Sequence, residues 1–482
     1  MSINLIENLN YKIIELGYKY IDHVDLIDDL MQIISDPNRK NILDSFENII
    51  CNKYKGNNNK YNEIVNEIMK LCDDCGFNKQ RQKVYKENGI GYRIGATYSH
   101  KVYTLIGEVI VRRVFIAPKN KIENEKVADL KRKGLVIPRD DCFGVSRLPL
   151  RMTVNVMLLV AKLAVDLNSN TQVKEKLIND LGYGPGINTL MKAVNAVGSI
   201  VFKTEYEKAQ EAYELFNNGK LNLKFEKNGC LYIDTDSLLV YERDKIDGGQ
   251  IFIENKLGIV FSTDNIHKNV NYVTNEEIYK ILKKEFTFCI GPPSMFKKFL
   301  LACALRNGYG QYKEAVFFTD GSTWIKNIKE ELFQNTQLIL DFYLLMEKIS
   351  YFGKLNFPDS KKDYELWVER MSGMLRSSKF IDVINEVTKI EYTRNTLLDL
   401  ASFLQNNIDY MDYKTYLKKG YIIGRAATQG VEKTVFQDRL GQAYMKYTKD
   451  SAQNTLTLLA KRENGFWHEE VEVPIRQFYG LE

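Results

Sequence analysis

The stretch Cys230–Glu242, CLYIDTDSLLVYE, decides how the rest of the chain is read. Its apolar, β-branched and aromatic residues have strand character, and two acids, Asp234 and Asp236, interrupt them. IFIENKLGIVF (Ile251–Phe261) reads as a neighbouring strand, and Ser294–Arg306 has amphipathic helical spacing. AVFFTDG (Ala315–Gly321) reads as a buried strand ending on Asp320. After a short helix, QLILDFYLL (Gln337–Leu345) reads as a third acid-bearing strand, carrying Asp341. Strands alternating with helices predict an α/β core.

Asp236 and Asp320 are the candidate chemistry. Each is read as a carboxylate closing an apolar strand, a place that is costly for a charge without a partner. Two such groups brought together raise each other's pKa, and a divalent cation relieves the repulsion. Hard oxygen donors suit Mg²⁺ or Mn²⁺, and two such ions can drive phosphodiester chemistry. The plainer alternative is that each Asp caps the helix or loop that follows its strand.

Working outward, residues 1–75 read as amphipathic helices, with NNN at 57–59 marking a loop. Residues 79–147 differ: 16 Lys/Arg face 7 Asp/Glu, a net of +9, the electrostatic footprint of a polyanion partner. Lys131, Arg132 and Lys133 form its densest run. Within it, YTLIGEVIVRRVFI (Tyr103–Ile116), β-branched with a central Gly, reads as a hairpin or two strands, which on the plainer view is only a solvated β surface. Three helical pieces follow, Thr153–Leu167, Thr171–Leu181 and Ile187–Val201, the last two separated by a Gly/Pro turn. That is a helix-turn-helix pattern, with Asn188, Lys192 and Asn195 expected outward on the reading helix. The same pattern also occurs in ordinary helical cores. Residues 326–419 are mostly helical and rich in aromatics, 420–447 read as a turn and a helix, and FWHEEVEVPIRQFYG (Phe466–Gly480) reads as irregular or partly extended.

Composition narrows the class. The 482 residues are 44% hydrophobic and 27% charged, enough for real cores, and the net charge of +5 does not by itself point to nucleic acid. Seven cysteines, an odd number, fit a reducing compartment better than a disulfide framework. MSINLIENLN lacks the basic and apolar regions of a signal peptide, and the longest apolar stretch, Val154–Val165, is about half a membrane span. A cytoplasmic protein without a membrane partner is expected.

The three segments GCLYIDTDSLLV, VFFTDGSTWIKNI and TQLILDFYLLMEKI together resemble the RNase H-like core of bacterial insertion-sequence transposases. The nearest likeness is to the ISLre type, with more distant Kra-type and Mutator-like relatives. The family's Leu-Tyr-Ile-Glu-Ala-Asp strand and its Asp-Gly-Ala-x-Trp-Ile motif align without gaps, placing the first two catalytic acids on Asp236 and Asp320. Cys72-Asp-Asp-Cys75-Gly, then Arg93, Thr97 and GEVIVRR, resembles the family's N-terminal segment. Some relatives build a zinc ribbon there from two such pairs. The second pair is missing here, so zinc, which needs four ligands, is not expected and buried thiols are the reading.

The resemblance, spanning residues 72–462, implies a fold of mixed α and α/β class: a helical N-terminal DNA-binding region, then an RNase H-like catalytic core interrupted by an all-α insertion. The implied order is a helical domain (1–78), a basic β-containing module (79–150), a helix-turn-helix-like DNA-binding segment (151–225), the first part of the core (226–345), the insertion (346–419), and the core's last helix and tail (420–482). It also implies a metal-dependent DNA transposase using two Mg²⁺ or Mn²⁺ ions. Its partners would be double-stranded DNA, at element ends and target, and further copies of itself, in the bacterial cytoplasm and on the nucleoid when bound. Two positions depart from the pattern. Leu344 stands where the third motif has His, and Gln429 stands where a late helix has the catalytic Glu. Glu432, three residues on and so on the same helical face, is the working third acid and metal ligand, with a solvated helix residue as the plainer reading. Arg425 and Arg439 are candidate phosphate contacts. Tyr351, Phe352, Trp367 and Phe380 of the insertion are candidates either for stacking on DNA or for core. The departures motivate a second function, a transposase-derived DNA-binding protein without cleavage.

Overall fold

A computed structural model of the chain describes residues 3–35, 41–54, 58–74, 92–118, 150–243, 250–270, 277–358, 360–394, 399–424, 440 and 447–481. These divide into two compact units, Met1–Val197 with His468–Glu482, and Gly198–Trp467. No helix among the described residues is long and apolar enough to cross a membrane.

The first unit opens with four helices, α1 (Ile3–Lys19), α2 (Val24–Ser35), α3 (Ile42–Lys53) and α4 (Asn58–Asp74). On α2, Leu26, Ile27, Leu30 and Ile33 recur at helical spacing and are buried, so one face packs into a core shared with Phe46, Ile64 and Ile68. The antiparallel hairpin of β1 (Tyr92–Thr104) and β2 (Gly107–Pro118) adds Val102 and Val109 to that core. It turns where Gly107 takes φ +126°, as the sequence predicts around this glycine.

Helices α5 (Val154–Asp166), α6 (Asn170–Leu181) and α7 (Ile187–Asn217) follow. Thr153 and Ser169 cap α5 and α6 by accepting the amides of Val156 and Gln172. Gly182, left-handed at φ +76°, stops α6. The third piece runs to Asn217, well past the predicted Val201, because nothing between the two breaks the helix. The C-terminal stretch expected to be extended is instead a π-helical turn, His468–Glu472, and a helix, Val473–Tyr479. Proline suits the first turn of that helix and Gly480 its left-handed stop, signals that the β-branched residues of VEVPI obscured.

Polar groups tie this unit together from inside. Glu47 of α3 is fully buried. Its Oε1 accepts the Leu105 amide at 2.6 Å and the Thr153 hydroxyl at 2.7 Å, and its Oε2 accepts Asn155 Nδ2 at 2.8 Å. Asp44, one turn earlier, accepts the Val154 amide at 3.0 Å. Arg476 of the C-terminal helix donates to Asn155 Oδ1 at 2.7 Å. Burial pushes Asp44 up to about 6 against the Val154 amide and the charge of Arg476. Burial, followed by the charge of Asp44, pushes Glu47 up to about 8.

The second unit is built on a five-stranded sheet. Its strands are β3 (Lys227–Arg243), β4 (Gln250–Ser262), β7 (Glu285–Cys289), β8 (Tyr312–Thr319) and β9 (Gln337–Leu340), and a separate small hairpin is made by β5 (Ile266–Val270) and β6 (Glu277–Ile281). The sheet order is β7-β4-β3-β8-β9. β3 pairs antiparallel with β4, and β4 antiparallel with β7, while β3–β8 and β8–β9 are parallel. Helices α8 (Pro293–Arg306) and α9 (Thr323–Leu332), with α7 from Phe202 onward, bury one apolar cluster against the sheet that includes Leu231, Ile233, Phe299, Phe317 and Ile325.

A helical block follows β9: α10 (Phe342–Asn356), α11 (Lys361–Arg376), α12 (Phe380–Arg394), α13 (Leu400–Gln405) and α14 (Tyr413–Lys418). Phe352 and Trp367, candidates for DNA stacking, are core residues of this block with rings 6.0 Å apart. Tyr351 is exposed and Phe380 half-buried. The last helix of this unit, α15 (Lys449–Glu463), protects the edge of β7. Gln453 and Asn464 side chains satisfy the backbone of Phe286, Phe288 and Ile290, and a buried Lys461–Glu205 ion pair of 2.9 Å joins α15 to α7.

The unit is thus a mixed α/β structure, as expected in class, with two local differences. β3 continues seven residues past Asp236 to Arg243, so Asp236 lies within a strand instead of closing one. The strand predicted over Gln337–Leu345 ends at Leu340, because Asp341 caps α10 by accepting the Tyr343 amide at 2.9 Å.

Candidate active site

Strand register brings the two predicted acids to one level. β3 and β8 run parallel with Ile233 opposite Phe317, and three residues further along each chain stand Asp236 and Asp320. Alternation places Leu231 and Ile233 on the face covered by α8, and Tyr232, Asp234 and Asp236 on the other. On that second face Tyr232 stacks on Phe261 and Phe318, and its hydroxyl accepts the Ile422 amide at 3.2 Å. The carboxyl ends of parallel strands are where α/β sheets commonly form sites.

Each carboxylate is oriented by nearby backbone. Asp236 Oδ1 accepts the Ser237 amide at 2.8 Å, and Asp320 Oδ1 accepts the Ser322 amide at 2.7 Å. Between β8 and α9 the chain turns at Gly321, φ +96°, whose amide donates to Thr319 Oγ1 at 3.0 Å. A β-carbon there would come within 2.8 Å of the Phe403 ring, so the turn requires glycine for two reasons.

Asp236 and Asp320 line one open cleft of about 400 Å³ together with Gly321, Ser322, Leu344, Lys348 and Phe403. Leu344 and Lys348 lie one turn apart on α10, and Phe403 comes from α13. The helical block therefore supplies one wall and the strand ends the other. The Lys348 ammonium is 5.0 Å from the centre of the Phe403 ring. Lys326, on α9, donates to the Asn406 carbonyl at 3.4 Å. Burial lowers its pKa, while the charges of Asp320 and Asp409 oppose that shift.

Asp341 sits at the same level on the next strand, since Thr319 pairs with Leu340. It is 3% exposed and does not line the cleft. Gly424 packs against it so closely that a β-carbon would lie 3.2 Å from its Oδ1. Asp234, two residues before Asp236, is completely buried. Across the sheet, Ser237 and Lys256 both bond Glu254, at 2.6 and 2.9 Å, and the Ser237 hydroxyl leads in holding that carboxyl below its usual value.

The other predicted residues divide by position. Lys192 is exposed and Asn195 half-buried on α7. Lys131, Arg132, Lys133, Arg425, Gln429, Glu432, Arg439 and Cys75, and the side chain of Cys72, lie outside the described residues. Among the described residues no group of three or more His, Cys, Asp or Glu converges as a metal site. Sequence reasoning missed Lys348 and Phe403. Lys348 had a signal, its place four residues after Leu344, whereas Phe403 had none.

No protein-family model matches the chain, and no curated protein matches it either.

Proposed function

We propose that this chain is a DNA transposase of an insertion sequence, acting through metal-dependent phosphodiester hydrolysis and strand transfer. The observation that carries the reading is the cleft: Asp236 and Asp320, level on adjacent parallel strands, face one open space. The order β7-β4-β3-β8-β9, antiparallel on one side of β3 and parallel on the other, supports an RNase H-like core, and the helices between β9 and α15 support an insertion within it.

The donor set fits the cofactor. Two carboxylates in one cleft are hard oxygen ligands, and their mutual repulsion favours a bound divalent cation. Asp236 and Asp320 would hold Mg²⁺ or Mn²⁺, with Glu432 as the proposed third ligand. When bound, the metal supplies charge neutralisation and activation of the attacking oxygen. The chain's own part is positioning. The Ser237 and Ser322 amides fix the two carboxylates, and Leu344 and Phe403 form part of one wall of the cleft. Water attacks phosphorus, the P–O3′ bond breaks, and a 3′-hydroxyl is left to attack target DNA. The basic 79–147 segment and the exposed face of α7 with Lys192 are assigned to DNA binding. Joining two ends calls for a homo-oligomer on DNA.

A second reading, a transposase-derived DNA-binding protein, is favoured by Leu344, an apolar side chain beside the two carboxylates. Nicking of duplexes carrying the sequences that flank the gene, with Mg²⁺ or Mn²⁺, separates the two. Cleavage abolished by Asp320→Ala supports the enzyme. Salt-dependent binding without cleavage supports the second reading, and absence of both refutes both.

A further inference from the structure

Resting on the proposal that the cleft acts on DNA, we infer that Lys348 is the phosphate-binding residue of this site and that Phe403 positions it. Two carboxylates repel a polyanion, so a nucleic-acid strand entering the cleft needs a cation on the wall. Among the described lining residues Lys348 is the only one. Its side chain forms no ion pair among the described residues, and its ammonium lies 5.0 Å from the Phe403 ring centre. A cation over an aromatic face is attracted by the ring and keeps its donors for an incoming anion. Lys19 and Lys53 also lie over aromatic rings, at 5.1 and 5.4 Å, but their ammonium groups are in addition paired with carboxylates.

The ring is itself held in place. Gly321 gives the Phe403 edge the room that any side chain would fill, so the turn bearing Asp320 also seats the aromatic under Lys348. Carboxylate, ring and ammonium thus come from β8, α13 and α10 and form one constellation. The ligand class is the phosphodiester backbone of a DNA strand, contacted without regard to base sequence.

The test uses the full chain and a fluorescein-labelled duplex carrying the element end, with Ca²⁺ present, titrated across a salt series. Lys348→Ala is expected to lower the slope of log affinity against log salt by about 0.9, the loss of one phosphate contact. Lys348→Arg is expected to restore the slope, and Lys348→Gln repeats the loss should the alanine variant fail to fold. Lys348→Ala is also expected to slow nicking about tenfold or more, with recovery in Lys348→Arg. An unchanged slope in both Lys348→Ala and Lys348→Gln, with nicking still abolished by Asp320→Ala, overturns this inference and leaves the functional reading standing. No salt-dependent binding by the unmodified protein overturns the reading, and this inference with it.

Discussion

Asp44 and Glu47 sit one turn apart on α3 in the first unit, and Asp236 and Asp320 lie level on β3 and β8 in the second. Both are pairs of carboxylates brought close by regular structure, yet their surroundings differ. Glu47 receives three donors from the protein and is closed off from water. Asp236 and Asp320 each take a neighbouring amide and border an open cleft. The first pair joins α3 to the hairpin turn and to the start of α5. The second is directed toward something that enters from outside. Proximity of acids is therefore not the sign of a site; what separates the two is that one pair is enclosed and the other borders an open cleft.

The largest expected effect concerns the open pair. Asp320→Ala is expected to lower nicking by roughly a thousandfold, the loss of several kcal/mol of charge stabilisation, while the melting temperature barely moves. A large drop in stability with residual nicking would make Asp320 structural and erase the contrast.

The closed pair predicts the reverse. Glu47→Ala leaves the Leu105 amide, the Thr153 hydroxyl and the Asn155 amide facing a buried gap, and is expected to cost about 3 kcal/mol in urea unfolding. The same pair sets a pH dependence. Both acids are raised in the folded state, so it holds their protons more tightly than the unfolded chain. Their contribution is complete below the unfolded carboxylate values of about 4, and it is lost as pH rises through about 6 for Asp44 and about 8 for Glu47. The first unit is therefore expected to melt at a lower temperature at pH 8 than at pH 5, and Glu47→Gln to flatten the trend. A melting temperature that climbs over this range would contradict the assignment.

Gly321→Ala comes next. It forces φ +96° on a residue with a β-carbon and drives that atom toward the Phe403 ring, at an expected cost of about 1–3 kcal/mol with slower nicking. The smallest effect is expected at Asp341, level with the site acids but enclosed as a helix cap. Asp341→Ala should cost about 1 kcal/mol of stability and leave nicking within a few-fold. Complete loss of nicking would move Asp341 into the open class.

Much of the second unit was legible because its signals are local. The apolar run around Asp236, the helix from Ser294 and the strand ending at Asp320 each announce themselves within a dozen residues, as does the hairpin glycine of the first unit. What was hidden depends on long-range contact. Glu47 finds its partners 58, 106 and 108 residues away, so its helix reads only as an amphipathic surface with acids on it. Phe403 reaches the cleft only through the packing of α13 against the turn at Gly321. Asp341 misled because QLIL and FYLL are both apolar, and period alone does not separate a strand from a helix beginning at its end. Asp236 was misread as a strand end, since SLLVYE extends the strand beyond it.

The most direct measurement is Mn²⁺ binding by the full chain, followed by the loss of the free-ion electron paramagnetic resonance signal. The unmodified protein, Asp236→Ala, Asp320→Ala and Glu47→Gln would be compared. The account predicts saturable binding in the unmodified protein and in Glu47→Gln, and its loss in both cleft variants. Binding that survives Asp236→Ala and Asp320→Ala together would contradict it.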